Sequence, residues 1–171
     1  MNVMQKINAI MDWLYREIPQ DMKALVPVSG GSDSALCFWL CSTALHGKTQ
    51  GVYIGKPEHL RAEDWFHKTG SMCIESPLMP DLDPVQAEIM RWAHFQILAS
   101  LGKRVLVGSR NRTEDILGTY SLASRVATYL LIIGLWKSEV LEICKYISAP
   151  KEIIESSSLP DPSCGRDAEF L

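Results

Sequence analysis

The chain has 171 residues, 47% of them hydrophobic and 22% charged, and a formal net charge of −3 at pH 7. This length suggests one domain, residues 1–171, with enough chain to bury a core, and the composition is ordinary for a soluble globular protein. The charge gives no reason to expect a nucleic-acid partner, and no apolar stretch is long enough to cross a membrane. Since the N-terminus also lacks a signal-peptide pattern, we expect a cytoplasmic protein.

Turn residues and apolar periodicity predict alternating helices and strands in the first half of the chain. The predicted elements are a helix over 3–18, a strand over Lys23–Val28, a helix over Ala35–Leu45 ended near Gly47, a strand over Gly51–Gly55, a helix over Pro57–Lys68 stopped by Gly70, and a strand over Ser71–Glu75. Pro27 weakens the first strand assignment, because proline cannot donate a hydrogen bond to a neighbouring strand.

The second half continues this alternation after a loop rich in proline and aspartate. The predicted elements are a loop over Pro77–Pro84, a helix over Val85–Leu101 capped by Asp83 and closed by Gly102, a strand over Arg104–Gly108, a polar loop over Ser109–Ser121 leading into a helix, a strand near Tyr129–Ile133, helices over Trp136–Ile147 and Pro150–Glu155, and a tail over Ser156–Leu171. Trp92 and Phe95 could form a ligand platform, but core packing is the favoured interpretation.

The order of elements indicates an α/β fold. We expect a doubly wound, parallel, five-stranded sheet with helices on both faces. In such sheets the ligand lies at the carboxyl ends of the strands.

Five cysteines occur, at positions 37, 41, 73, 144 and 164. The odd number and the absence of a C-x-x-C pair argue against a disulfide framework or a zinc site. Cys37 and Cys41 lie one helical turn apart and could hold a metal, but burial as small hydrophobic side chains is favoured.

The most informative stretch is Ser29-Gly30-Gly31-Ser32-Asp33-Ser34, between an apolar strand and an apolar helix. A strand, a glycine turn and a helix start together form an anion site, because glycine permits close approach and the helix start offers unpaired N–H groups. The loop has no lysine and does not fit the Walker pattern. The alternative is a serine-rich turn that binds nothing.

This stretch resembles the SGGxDS signature of the ATP pyrophosphatase (PP-loop) superfamily. The resemblance implies a single PP-loop domain with an adenine nucleotide alpha hydrolase-like fold. It also implies cleavage of ATP between the α and β phosphates with adenylation of a substrate. Residues Ser29, Gly30, Gly31, Ser32, Asp33 and Ser34 are then the ATP-binding loop.

A second stretch, Val107–Gly118, resembles the GTGNKSEDLLG segment of NAD synthetases and agrees with it at Gly108, Asn111 and Glu114, among others. Ser109 replaces the threonine and is a candidate ATP contact. Glu114 is expected at a strand end, as is Asp33, and two carboxylates beside a triphosphate can share a Mg²⁺ ion. The alternative for both is a helix-start carboxylate near the positive end of the dipole.

A third segment, Leu135–Val140, resembles the LYKTQV of the same enzymes. The resemblance makes Lys137 a contact to the ATP phosphates and, with Asp33, a catalytic candidate; a solvated surface lysine is the alternative. The family also uses a hydroxyl near the C-terminus. The equivalent position is Leu159 and Ser158 precedes it, so Ser158 is the candidate there.

The acceptor side departs from the family. NAD synthetases continue with FTKYGDGxxD, whose lysine and aspartate bind deamido-NAD, whereas this chain reads Thr119–Arg125 without GDG. Glu88 stands where the family has an arginine that contacts the dinucleotide, and the chain is shorter than typical members. The segments that resemble the family's ATP-binding motifs are thus better preserved than those that correspond to its acceptor-binding motifs.

Three functions remain open. The first is an ATP- and Mg²⁺-dependent amide-forming ligase that adenylates deamido-NAD and amidates it with ammonia. The second keeps the adenylation and changes the acceptor. The third is a degenerate protein that binds an adenine nucleotide. The family resemblance and the base rate of oligomers both predict a homodimer.

Overall fold

The computed structural model describes residues 1–75 and 82–156 and contains one parallel sheet. Its strands are β1 (Lys23–Pro27), β2 (Thr49–Ile54), β3 (Ser71–Glu75), β4 (Arg104–Gly108) and β5 (Tyr129–Leu130). They lie in the order β3-β2-β1-β4-β5, and each neighbouring pair is parallel. The predicted five-stranded α/β fold is therefore confirmed.

Strand β1 is central, and residues Ala24, Leu25 and Val26 are fully buried within it. It pairs with β2 through a register that joins Val26 to Gly51, and with β4 through one that joins Ala24 to Val105. Pro27 is its last residue, and the next amide, that of Val28, donates to the Val52 carbonyl at 2.8 Å. The proline therefore ends the strand without interrupting its ladder.

The helices cover both faces of the sheet, as predicted. They are α1 (Val3–Glu17), α2 (Ser32–Leu45), α3 (Glu63–Thr69), α4 (Pro84–Leu101), α5 (Arg112–Leu117), α6 (Lys137–Tyr146) and α7 (Lys151–Glu155). Helix α2 packs against α1, α3, α6 and α7 on one face, whereas α4 packs against β1 and β4 on the other. Within the described ranges, no helix is long and apolar enough to cross a membrane.

Three predicted elements differ from the structure. The helix over Pro57–Lys68 is wrong as a single helix: a 3-10 turn over Pro57–His59 precedes α3, and Ala62 between them has a left-handed φ of 53°. The polar segment 109–121 contains a helix of its own, α5. The last strand has only two residues, because the chain turns away after Leu130.

Helix α2 begins earlier than predicted, at Ser32. The serine and the aspartate of the glycine-containing loop therefore belong to its first turn. Their backbone N–H groups lie at the positive end of a helix of 14 residues, which is the arrangement that favours an anion.

Candidate active site

The loop after β1 bends through a single glycine. Gly30 has a φ of +79°, and a Cβ atom placed there would lie 3.3 Å from the backbone nitrogen of Arg61. Both the positive φ and the close approach favour glycine at this position. Gly31 is the N-cap of α2 and supplies no side-chain cap, so the start of the helix is open to a ligand.

Two serines hold this loop in shape. The Ser34 hydroxyl accepts a hydrogen bond from the Ser29 amide and donates one to the Gly31 carbonyl, both at 3.1 Å. The Ser29 hydroxyl lies 3.1 Å from that of Ser34 and accepts a hydrogen bond from the Gly31 amide. Buried Ser34 thus organises the loop, whereas Ser29 is exposed at its surface.

Asp33 is held by residues from two distant segments. Its Oδ1 accepts a hydrogen bond from Asn111 Nδ2 at 2.8 Å, and its Oδ2 forms an ion pair with Lys137 Nζ. The same ammonium group lies 3.0 Å from the Ser32 hydroxyl. The side chain of Lys137 is 22% exposed, and its contacts to the loop exclude the alternative of a solvated surface lysine.

The start of α6 is fixed by the start of α5. The Lys137 amide donates to the Thr113 hydroxyl at 3.0 Å, and the Arg112 amide donates to the Leu135 carbonyl at 2.8 Å. The guanidinium of Arg112 lies 4.6 Å from the centre of the Trp136 ring. These contacts set the direction from which the lysine side chain reaches the loop.

Glu114 has a structural role at the start of α5. Its Oε2 accepts a hydrogen bond from the Asn111 amide at 3.2 Å, while Asn111 Oδ1 accepts one from the Glu114 amide at 3.0 Å. This reciprocal pair is a capping box. Asn111, which is fully buried, therefore caps α5 and binds Asp33 with the same side chain. The helix-start alternative for Glu114 is therefore an observed feature, and the same residue also lines a cavity next to the loop.

A large cavity of about 540 Å³ opens above the loop. It is lined by loop residues Ser29, Gly31 and Ser34, by Tyr53, Ile54 and Gly55 at the end of β2, and by Ser109 after β4. Its other lining residues include His59, Arg61 and Ser156, together with Glu88, Arg91, Trp92 and Phe95 of α4. Its size is that of a typical small-molecule pocket, and its polar walls lie where an α/β sheet places a ligand.

A smaller cavity of about 150 Å³ adjoins it, because seven residues line both. The shared residues are Ser29, Gly31, Ser34, Glu88, Arg91, Trp92 and Ser109. The smaller cavity is also lined by both Asp33 and Glu114, by Arg110, and by four residues of segment 119–124, namely Thr119, Tyr120, Ser121 and Ser124. The carboxyl ends of β1 and β4 therefore bring the two predicted carboxylates to one space.

Glu88 lies at the junction of the two cavities. Its Oε1 accepts a hydrogen bond from the Trp92 indole at 2.7 Å, and its Oε2 forms an ion pair with Arg91 at 2.9 Å. Trp92 and Phe95 belong to the core beneath α4, which confirms core packing, and one side of each also lines the large cavity.

The segment 119–125 carries an arginine–tyrosine stack. The Arg110 guanidinium lies 4.1 Å from the centre of the Tyr120 ring, and Arg125 Nη2 donates to the Tyr120 hydroxyl at 2.8 Å. The hydrogen bond from Arg125, with the charges of both arginines, lowers the pKa of Tyr120. Both arginines therefore contact the same ring, next to the smaller cavity.

The cysteines near the site are buried thiols. Cys144 Sγ lies 3.5 Å from the Ser32 carbonyl, and burial raises its pKa to about 12. Burial also raises the pKa of Cys41 to about 12 and that of Cys37 well above its usual value. These three side chains are neutral at pH 7 and pack as small hydrophobic groups, as favoured from the sequence.

Most of the predicted site residues come together. Asp33 and Lys137 are in contact, and Glu114 shares the smaller cavity with Asp33. Ser109 lines both cavities, whereas Ser158 lies outside the described residues. Sequence reasoning missed the Asp33–Asn111 bond and the wall formed by Arg61, Arg91 and Arg110; only the agreement of Asn111 with the family segment gave a signal.

The described ranges contain no cluster of three His, Cys, Asp or Glu side chains that could hold a metal by themselves. Asp33 and Glu114 provide carboxylate oxygens, the donors that Mg²⁺ prefers, and Mg²⁺ is commonly bound by one or two carboxylates together with substrate phosphates. The residues present therefore fit a Mg²⁺ ion that is bound jointly with a nucleotide.

No protein-family model matches the chain. Curated relatives are nevertheless similar over almost its whole length. The NH3-dependent NAD⁺ synthetase of Wolinella succinogenes is 26% identical over 95% of this chain and 72% of its own. That of Methanococcoides burtonii is 25% identical over 96% of this chain and 71% of its own.

Solved structures show the same fold. The NH3-dependent NAD synthetase of Campylobacter jejuni superposes with a TM-score of 0.81 at 18% identity, over 93% of this chain and 79% of its own. The NMN synthetase of Francisella tularensis superposes with a TM-score of 0.82 at 18% identity, over 99% of this chain and 81% of its own. The similarity to NAD synthetases that the motifs predict is confirmed by the curated relatives, and the solved structures confirm the fold.

Proposed function

We propose that this protein is an ATP-dependent amide-forming ligase of the NAD synthetase type, which adenylates a carboxylate and amidates it with ammonia to release AMP. The observation that carries the proposal is the contact of Lys137 with Asp33 and Ser32 at the start of α2, directly after the loop whose residues Ser29 and Gly31 line two adjoining cavities. One cavity has the size of a nucleotide site, and the other provides a place for an acceptor beside it.

In this mechanism the larger cavity holds ATP. The open start of α2 and the glycine turn bind phosphate oxygens through backbone N–H groups, with Ser29, Ser32 and Ser109 as hydroxyl donors. Tyr53 and Ile54 at the end of β2 provide the apolar surface for the base. Ser34 keeps the loop in its binding shape.

Lys137 stabilises the negative charge that develops on the departing pyrophosphate. Without nucleotide its ammonium group is paired with Asp33, which holds it at the site in a defined position. A preformed cation needs little reorganisation when charge appears on the leaving group, and this preorganisation is the main source of rate enhancement at such centres.

Asp33 and Glu114 are the proposed ligands of Mg²⁺. Their carboxylate oxygens would hold the ion, which would supply positive charge to offset that of the phosphates. Asn111 fixes Asp33 from one side, and the capping box fixes Glu114. The carboxylates are thus held in place before the nucleotide arrives.

The acceptor carboxylate attacks the α-phosphorus of ATP from the smaller cavity, and ammonia then attacks the acyl-adenylate. No side-chain nucleophile is needed for either step. Deamido-NAD is the first proposed acceptor. A different acceptor is the second, because Glu88 and segment 119–125 depart from the family and because a structural relative of the same fold is an NMN synthetase.

We also propose that the protein acts as a homodimer in the cytoplasm. Helix α4 leaves large apolar side chains exposed, namely Val85, Ile89, Ile97 and Leu101, and the turn packed beside it adds Leu122 and Val126. A second copy of this chain is the proposed occupant of this surface, which adjoins segment 119–124 beside the smaller cavity.

The test is a reaction mixture of the protein with ATP, Mg²⁺ and ammonium, supplied separately with deamido-NAD and with nicotinate mononucleotide. Formation of AMP, pyrophosphate and the amide, measured by mass spectrometry, supports the proposal and identifies the acceptor. Formation of ADP, or AMP formation that does not require a carboxylate acceptor, contradicts it. ATP binding without turnover of either acceptor favours the degenerate nucleotide-binding protein.

A further inference from the structure

The smaller cavity has an unusual distribution of charge. Three carboxylates line it, from Asp33, Glu88 and Glu114, together with the guanidinium groups of Arg91 and Arg110. Asp33 is already paired with Lys137, and Glu88 is already paired with Arg91. Arg110 is the remaining cation of the wall, and it contacts the smaller cavity but not the larger one.

The charge of Arg110 is only weakly compensated. Its Nε lies 3.4 Å from Asp115 Oδ1, an oxygen on a side chain that is 46% exposed, and this Nε is buried without a hydrogen-bond acceptor among the described residues. The Arg110 side chain itself is only 14% exposed. A guanidinium removed from water in this way gains from any anion that enters the cavity.

The orientation of Arg110 is fixed before a ligand binds. One face of its guanidinium packs on the Tyr120 ring at 4.1 Å, and Tyr120 is itself held by the hydrogen bond from Arg125. Stacking uses the face of the planar group, whereas its N–H groups point along the edge, where Nε already lies near Asp115. That edge is the geometry that binds a carboxylate or a phosphate in a bidentate manner.

An anionic acceptor needs such a group. The reacting carboxylate must approach a triphosphate and the carboxylates of Asp33 and Glu114, and like charges at these distances repel strongly in a partly desolvated cavity. A cation on the acceptor side offsets this repulsion without reducing the charge that Lys137 supplies to the ATP phosphates.

We propose that Arg110 binds an anionic group of the acceptor, either a phosphate or the reacting carboxylate, and so selects a small anionic carboxylate as the substrate. This inference rests on the proposed function. A cavity of about 150 Å³ accommodates the reacting end of such a molecule. In the family segment quoted above, a glycine stands at the position of Arg110, so the role belongs to this chain.

The experiment compares Arg110→Ala and Arg110→Lys with a control, Arg16→Ala. Arg16 is exposed on α1 and lines neither cavity. Each protein is given ATP, Mg²⁺ and ammonium with nicotinate mononucleotide or with nicotinate riboside, which lacks the phosphate. The readouts are the KM for the acceptor, the KM for ATP, kcat, and the Kd of each acceptor by calorimetry.

Arg110→Ala is expected to raise the KM and the Kd for the acceptor about tenfold or more while leaving the KM for ATP unchanged, with partial recovery in Arg110→Lys. If the KM and the Kd rise only for the mononucleotide, the contact is to its phosphate. If they rise equally for both acceptors, the contact is to the reacting carboxylate. An unchanged acceptor KM, or an equal rise in the KM for ATP, overturns the inference.

A failure of the proposed function gives a different result. In that case the unmodified protein forms no AMP with deamido-NAD or with either of these two acceptors, and the calorimetric measurement alone decides the role of Arg110. Binding of the mononucleotide that is weakened by Arg110→Ala supports the anion contact. Equal binding by both proteins, or no binding by either, overturns it.

Discussion

Lys137 and Asp33 are 104 residues apart in the chain and form an ion pair at the start of α2. The aspartate receives a second bond from Asn111, so its two oxygens are held by the starts of two different helices. Three segments that follow three different strands thus converge on one carboxylate.

Removing the charge of Lys137 is the most direct test of the leaving-group role. Lys137→Met is expected to lower kcat for AMP formation by about 100-fold or more, because a preorganised charge at the leaving group is lost. Lys137→Arg should retain part of the activity. Lys145→Met, on the exposed side of the same helix, is the control, and an equal loss in that variant would show that only the helix was disturbed.

The role of Glu114 in metal binding can be separated from its role in capping. Glu114→Gln keeps a side chain that can complete the capping box but removes the negative charge. We expect the Mg²⁺ concentration for half-maximal activity to rise severalfold with unchanged thermal stability. Glu139→Gln, a matched change at the third residue of α6, whose Oε2 accepts the Trp136 amide, should leave the Mg²⁺ requirement unchanged. Equal Mg²⁺ dependence in all three proteins would refute the ligand role.

Asn111 links stability to the geometry of the site. Asn111→Ala is expected to reduce the free energy of unfolding by about 1–2 kcal/mol, because a buried N-cap is lost, and to reduce activity as well. Asn111→Ser can still cap α5, but its side chain is too short to reach Asp33. It should therefore keep most of the stability and lose activity. Urea unfolding and AMP formation measure the two effects, and parallel losses in both variants would argue against a separate role for the Asp33 bond.

The buried thiols should be inert at neutral pH. A raised pKa keeps the proton on the thiol until the pH approaches the raised value, and the pKa of Cys144 is raised to about 12. In a Cys73→Ser/Cys164→Ser background, iodoacetamide at pH 7 is expected to label none of Cys37, Cys41 and Cys144 in the folded protein and all three in urea. Rapid labelling of Cys144 with loss of activity would instead point to a reactive thiol beneath the loop.

The proposed dimer surface predicts a change in molecular mass. Ile97→Glu combined with Leu122→Glu is expected to convert the dimer to a monomer, because two charges are placed in an apolar interface. Light scattering coupled to size-exclusion chromatography measures the mass. Met4→Glu, an exposed apolar position on α1 on the other side of the sheet, is the control. A monomeric unmodified protein would refute the proposal.

The sequence predicts the strands and the central site, because buried strands and glycine turns leave strong local patterns. The parallel arrangement then requires Asp33 and Glu114 to lie at the same edge of the sheet. Lys137 could be predicted only through the family segment, since nothing in a single lysine at a helix start indicates which loop it will reach.

Features set by contacts between distant segments could not be predicted. The helix predicted over Pro57–Lys68 is interrupted because Leu60 and Arg61 pack against the Gly30 turn, and Ala62 takes a left-handed conformation to allow it. Arg110 occurs in a polar stretch without periodicity, and its partner Tyr120 lies across a short helix. Local propensity carries no information on either contact.

The position of Ser29–Ser34 at the end of the central strand has a consequence for how the protein matures. The residues that contact Asp33 of this loop are Asn111, which follows β4, and Lys137, which follows β5. Because β4 and β5 are the last two strands along the chain, a nascent or partly folded chain contains the loop before these two contacts can form. ATP should therefore distinguish the complete fold from its precursors and shift the population towards it by mass action. A higher ATP concentration would then raise the fraction of chains in the complete fold.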